Sequence, residues 1–273
     1  MYNSMFTFNK SHFLIFILYL TLLLGFYWGE DSIGGAYFDY QSLRHLNYKF
    51  IDDFFGTLIN YDSLGHRQSP IQYIIFSKLS SSEILNRIIF LHFCLLAPIF
   101  FYKSLKIINK STPKKYLKLI SGTLILFPTF RSYSIWPDPH MFGTVFFLIS
   151  IYYFLKFKYS TKLNFKYSLL NILFLSIAAY ISPNFGVFSF YFFYEYFKKY
   201  KLNKEIIIIA FCNIILSLPF FYYLFFLDIN FIFENKEWDI GYNFLSFTNF
   251  SNKFIIINSL IFFLLYSSNN FLF

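Results

Sequence analysis

The run "FLIFILYLTLLLGFY" at residues 13–27 leaves a polypeptide few choices. No charge interrupts it, and a helix built on it and its flanks approaches the ~30 Å depth of bilayer hydrocarbon. Comparable apolar stretches recur at 12–28, 86–102, 116–130, 140–156, 167–181, 184–198, 205–227 and 254–271. Backbone polar groups in lipid must be paired within their own segment, so such stretches are read as helices. The expectation is an all-α protein, a polytopic transmembrane bundle of about eight spans. It forms one domain over residues 1–273.

Composition narrows the function classes. The 273 residues are 57% hydrophobic and 14% charged, where a soluble domain carries about 25% charged residues. The net charge of +9 comes from lysines in short connections between apolar stretches. That is the distribution the positive-inside rule produces, and it argues against nucleic acid as a partner. Cys94 and Cys212 both fall within apolar stretches and read as small core residues, with no disulfide framework. His45, His66 and His140 are too scattered for a zinc centre. The 44 phenylalanines, among abundant Ile, Asn and Lys, reflect compositional bias rather than an aromatic binding surface. Lys10 precedes the first apolar run, as in a signal peptide, but no small-x-small cleavage site follows. A retained first helix is expected.

The stretch 69–79, "SPIQYIIFSKL", is apolar but too short to cross. If it lies in the interface and the N-terminus is inside, the Lys-rich loops 103–118, 156–166 and 198–205 all fall inside. If it crosses, they move outside, against the rule. The first reading puts Glu30, Asp31, Asp39, Asp52, Asp53, Asp62, Glu83, Asp138, Asp228, Glu234, Glu237 and Asp239 on the outer face. Arg44, Arg67, Arg87 and Arg131 join them there. A long first outer loop, 29–85, then carries interfacial helices, among them an amphipathic stretch "AYFDYQSLRHLNYKFIDDFFGTLI". The other long outer loop is 228–252.

Acids and guanidiniums gathered on one face suit a site that handles protons and anions. The plain alternative is a set of solvated loops. Asp31 in "WGEDS" is the first candidate for a catalytic base and Asp39 the second. A carboxylate in a partly dry interfacial pocket can titrate near the working pH. The Gly34–Gly35 pair beside Asp31 permits close backbone approach. Arg87, Arg131, His66 and Arg67 are candidates to hold a phosphate or diphosphate, although Arg87 at a helix entrance also fits simple snorkelling. Asp138, flanked by Pro137 and Pro139, either caps the next helix or positions substrate. No P-loop, nucleophile elbow, H-E-x-x-H or dinucleotide fingerprint is present.

In order and spacing these segments resemble the GT-C superfamily of integral-membrane glycosyltransferases, which includes the lipid A aminoarabinose transferases and protein O-mannosyltransferases. "WGEDS" stands where that family has its acidic motif, and "HRQSPIQYIIFSKL" resembles its His/Pro stretch and following short helix. "SSSEILNRIIFLHFCLLAPIFFY" is similar to the start of its second span, with Arg87 at the family's arginine. "RSYSIWPDPHMFGTVFFLISIYYFLKF" is similar to the loop and span carrying a family Asp, here Asp138. The likeness covers about residues 12–200. Glu30–Asp31 reverses the family's usual order, the His-Pro-Pro stretch is broken to "HRQSP", and the chain ends where many relatives continue. It is either a compact member or C-terminally incomplete.

The resemblance implies an inverting glycosyltransferase of the cytoplasmic membrane, with its site on the outer face. The donor is a polyprenyl-phosphate-linked sugar; the acceptor is a hydroxyl of a lipid, glycan or protein. No cofactor is implied, with a divalent metal left open. The alternatives are a transporter or flippase of lipid-linked saccharide, which needs ionisable residues along a path through the spans, and a non-catalytic membrane subunit whose outer loops bind a partner.

Overall fold

A computed structural model describes residues 10–61, 69–160 and 164–225. Every regular element among them is helical. Helix α1 (Lys10–Trp28) follows the opening apolar run and is apolar all round. Phe13, Phe16, Leu20 and Leu24 on it are each about half exposed, as on a helix that meets lipid. It stops at Gly29, whose φ of +67° is a left-handed value that glycine adopts freely. There the amide of Glu30 donates to the Gly25 carbonyl and that of Gly29 to the Phe26 carbonyl, the pairing of a Schellman cap.

The connection that follows folds into four short helices: α2 (Ala36–Leu43), α3 (His45–Asp52), α4 (Phe54–Ile59) and α5 (Ile71–Leu79). The amphipathic stretch at 36–59 is thus three pieces rather than one helix. Their apolar sides meet over Leu43, Leu46, Phe50 and Tyr73. Helix α5 has nine residues, about 13 Å of rise, which is less than half the hydrocarbon depth. It does not cross by itself.

Helices α6 (Glu83–Cys94) and α7 (Leu96–Ile108) run on almost without interruption. Ser82 caps the start by accepting from the Leu85 amide. The step at Leu95 has a cause: Pro98 has no N–H to offer the Cys94 carbonyl, and its ring crowds that group. Next come α8 (Lys114–Gly122), a 3-10 turn (Thr123–Leu126) and α9 (Pro128–Ile135). Helix α10 (Pro139–Lys158) is a single rod of 20 residues. Asp138 caps it, proline takes its first position, and Lys156 and Lys158 sit in its last turn, where the helix dipole favours cations. Helices α11 (Phe165–Ile181), α12 (Phe188–Tyr200) and α13 (Lys204–Phe225) complete the described fold.

Three helical segments among the described residues are long and apolar enough to cross a membrane: Ser11–Trp28, Glu83–Ile108 and Pro139–Lys158. Three, rather than the expected eight or so, are found among the described residues. Pro128 breaks the stretch 116–130, because its ring forces Phe127 into extended backbone (φ −65°, ψ 127°). The stretch 184–198 is a 3-10 turn followed by a helix of 13 residues, too short to cross. The 167–181 stretch lies on α11, an apolar helix of 17 residues. The 205–227 stretch falls mainly on α13, and 254–271, like the loop 228–252, lies outside the described residues.

Two further cores hold the longer helices. One gathers Leu22, Phe90, Trp136, Phe142 and Val145, from α1, α6, the α9–α10 connection and α10. The other packs Phe154, Phe157, Tyr196 and Tyr200 between α10 and α12. A polar seam fixes the second register. Buried Asn171 donates to the Ser150 carbonyl at 2.9 Å and accepts from Tyr196 Oη at 2.6 Å. Close approach of α10 to the end of α11 and the turn after it depends on Gly143, since a Cβ there would lie 3.1 Å from the Phe185 ring and 3.4 Å from the Ala178 carbonyl oxygen.

Candidate functional site

The acidic residues after α1 divide into different structural roles. Glu30 turns back against α9. Arg131 Nε donates to its Oε1 at 2.6 Å and Arg131 Nη2 to its Oε2. Arg131 Nη2 also reaches the Thr21 carbonyl at 2.9 Å, and Nη1 reaches Thr21 Oγ1 at 3.3 Å. The guanidinium beside Glu30 holds its carboxyl below the usual range; burial opposes this, and Ser32 Oγ, which also donates to it, helps. Most of Arg131's donors are therefore spent within the protein, although the sequence suggested a phosphate for them.

Asp31 works as a local brace. Its Oδ1 accepts from the Gly34 amide and its Oδ2 from the Tyr37 amide, each at 3.1 Å. Both oxygens thus support the turn that launches α2, a use that "DSIGG" signals through a φ of +73° at Gly34.

Asp39, one turn into α2, faces elsewhere. It lines a small recess with Tyr40, Asn47, Gln72, Tyr73 and Asp138. Asp138 is 7% exposed. Its Oδ1 accepts from the amides of His140 at 2.7 Å and Met141 at 3.2 Å. Burial raises its pKa above the usual carboxylate range, and the charge of Asp39 adds to the rise. The neighbouring His140 and the two capping amides act in the opposite direction. Of the two roles the sequence allowed for Asp138, the helix cap is present.

Arg44, whose Nη1 donates to Glu83 at 3.2 Å, also lines the recess, and two buried acceptors there stand open. Gln72, 2% exposed, donates through Nε2 to the Pro137 carbonyl at 3.3 Å, but its Oε1 has no partner. Asn47 Oδ1 is buried and unpartnered as well. Buried polar atoms are normally satisfied, so these oxygens fit a group that brings hydrogen-bond donors. Comparison with known protein families, with characterised proteins and with solved structures finds no match to this chain.

Arg87 enters from α6 on the other side of Tyr40. Its guanidinium carbon lies 3.6 Å from the centroid of the Trp136 ring, 4.9 Å from Phe26 and 6.0 Å from Tyr40. Nε donates to the Ile135 carbonyl at 3.1 Å, and the buried Nη2 has no partner. His66 and Arg67 lie outside the described residues. The structure thus brings Asp39 and Asp138 together and sets Arg87 against Tyr40, a lining residue of the same recess.

Trp136, Gln72 and Asn47 escaped the sequence reading. A glutamine in the apolar stretch "SPIQYIIF" was a usable signal, because an amide there needs a buried partner. "IWPDP" was another, since an indole between helices needs an acceptor for its N–H.

Proposed function

We propose that this protein is a membrane-embedded glycosyltransferase. It takes a sugar from a polyprenyl-phosphate donor at the outer face of the cytoplasmic membrane and transfers it, with inversion, to an acceptor hydroxyl. The observation that carries the reading is the shared recess of Asp39 and Asp138, with unpartnered Asn47 and Gln72 oxygens beside them. A hydroxylated acceptor supplies donors to these two open oxygens. Asp39 is then the base, in preference to Asp31, whose two oxygens brace a turn.

In the step proposed, Asp39 removes the hydroxyl proton as that oxygen bonds to the anomeric carbon. The bond from that carbon to the phosphate oxygen breaks on the opposite face, and the phosphate leaves with the electron pair. Arg87 meets the negative charge that grows there, the kind of fixed charge that lowers a barrier most. Asp138 orients the acceptor. The donor arrives activated, so a nucleotide-binding domain has no task, and its tail stays in the apolar phase.

The test is release of polyprenyl phosphate from a labelled polyprenyl-phosphate sugar, given to membranes that contain the protein and an extract supplying acceptors. Release should exceed that of membranes lacking the protein, and Asp39→Asn should cut it about 10²–10⁴-fold. Equal release with and without the protein overturns the proposal.

A further inference from the structure

We infer that Trp136 is a positioning residue that fixes which edge of the Arg87 guanidinium is offered to an anionic phosphate. The inference rests on the reading that Arg87 meets the leaving phosphate. A guanidinium carries five N–H groups in one plane, so its orientation decides what it can grip. The indole covers one face of it at 3.6 Å. The Ile135 carbonyl occupies Nε. What remains is the edge that includes Nη2, which is enclosed and has no partner. An arginine that merely snorkelled would bring its donors to water. Keeping one buried and unmade is costly, and it makes sense where a ligand completes it.

The indole is itself held from several sides. Trp136 is 7% exposed, and its Nε1 donates to the Glu30 carbonyl at 3.1 Å. Glu30 cannot drift, because Arg131 grips its carboxylate. Tyr37 rests edge-on against the indole with centroids 4.7 Å apart, and Tyr40 lies 5.8 Å away. Gly29 leaves room for the ring, since a Cβ there would sit 3.3 Å from Trp136 Cζ2. Ligand entry to Nη2 requires a neighbouring side chain to turn aside. Phe26, 4.9 Å from the guanidinium, and Tyr37, against the indole, are less buried than Tyr40 and Trp136. Arg87 is thus fixed through Trp136, and Trp136 through Glu30.

Two measurements on the full chain in lipid nanodiscs test this. One is the affinity for farnesyl phosphate, a short polyprenyl phosphate. The other is the rate at which phenylglyoxal modifies Arg87, read by mass spectrometry. Wild type should bind the probe, and the probe should slow modification. Trp136→Leu, which removes the ring, should weaken binding about tenfold, a span within the reach of a lost cation–π contact, and should speed modification. Trp136→Phe keeps a ring without the N–H and should fall between. Arg87→Lys should not rescue binding, because an ammonium has no planar edge. A folded Trp136→Leu or Trp136→Phe protein that binds and reacts like wild type overturns the inference. If wild type neither binds the probe nor is protected, yet Trp136→Leu still speeds modification, the phosphate role of Arg87 falls and the stack is packing only.

Discussion

Across 101 residues of chain, Arg131 grips both carboxylate oxygens of Glu30, with Nε to Oε1 at 2.6 Å. The two side chains are only 13% and 25% exposed. This ion pair bolts the end of α1 to α9, and it also fixes the backbone carbonyl on which Trp136 hangs. Losing one partner strands a largely buried charge.

Glu30→Gln should therefore destabilise the protein by about 2 kcal/mol, toward the low side for breaking a buried pair because both groups retain some solvent contact. The effect should depend on pH in one direction. The folded carboxyl holds its proton less tightly than the unfolded one. Its stabilisation is complete above the ordinary carboxylate value and is lost as pH falls through the lower folded value. Thermal melting in detergent from pH 7 downward should show wild type approaching Glu30→Gln in acid. A constant gap would contradict the pair's role.

Gly25 supplies the space for that pair. A Cβ at this position would overlap the Glu30 carboxylate and lie 2.8 Å from Arg131 Nη2. Gly25→Ala should cost about 1–2 kcal/mol, although alanine is the better helix former by about 1 kcal/mol. In a double-mutant cycle with Glu30→Gln the two losses should fall short of their sum, because both act on one contact. Strict additivity would place the Gly25 effect elsewhere.

Asp138 should show the opposite linkage. Its folded pKa is raised, chiefly by burial. The folded state therefore binds more protons than the unfolded state above the ordinary value, and stability falls as pH rises through the folded one. Asn caps helices about as well as Asp. Asp138→Asn should leave stability equal or higher at neutral pH, with the difference growing as pH rises toward that value, while transfer activity drops. Melting curves at several pH values decide it; a loss of stability at neutral pH would mean the charge helps the fold.

Much of this architecture was legible in the chain. The run at 13–27 is uninterrupted, so α1 had no competitor. "PDPH" carries both an N-cap and a first-position proline, and α10 begins there. The shortness of 69–79 was equally plain. Hydropathy failed where proline overrode it: Pro128 splits a stretch that reads as apolar throughout. The site was less visible because its pairings are long-range. Nothing local in "WGED" says that Glu30 belongs to Arg131, or that its backbone belongs to Trp136. Two neighbouring acids, Glu30 and Asp31, look alike in sequence. Helix termination at Gly29 sends one toward α9 and the other into a turn.

That difference sets the last prediction. Asp31 uses one oxygen for the Gly34 amide and the other for the Tyr37 amide. Asparagine offers a single acceptor, and its amide nitrogen faces an N–H it cannot receive. Asp31→Asn should therefore cost about 1 kcal/mol of stability. Its transfer rate, measured below the melting range, should fall no more than about fivefold, within what 1 kcal/mol of misplacement explains. Asp39 accepts no such bracing load in α2 and faces the recess with Asp138. Asp39→Asn should melt like wild type and lose about 10²–10⁴-fold in transfer. If Asp31→Asn instead abolishes turnover while Asp39→Asn keeps it, the base is Asp31 and the brace must open in the substrate complex. If both keep full turnover, no carboxylate of this loop removes the proton, and the glycosyl-transfer mechanism falls.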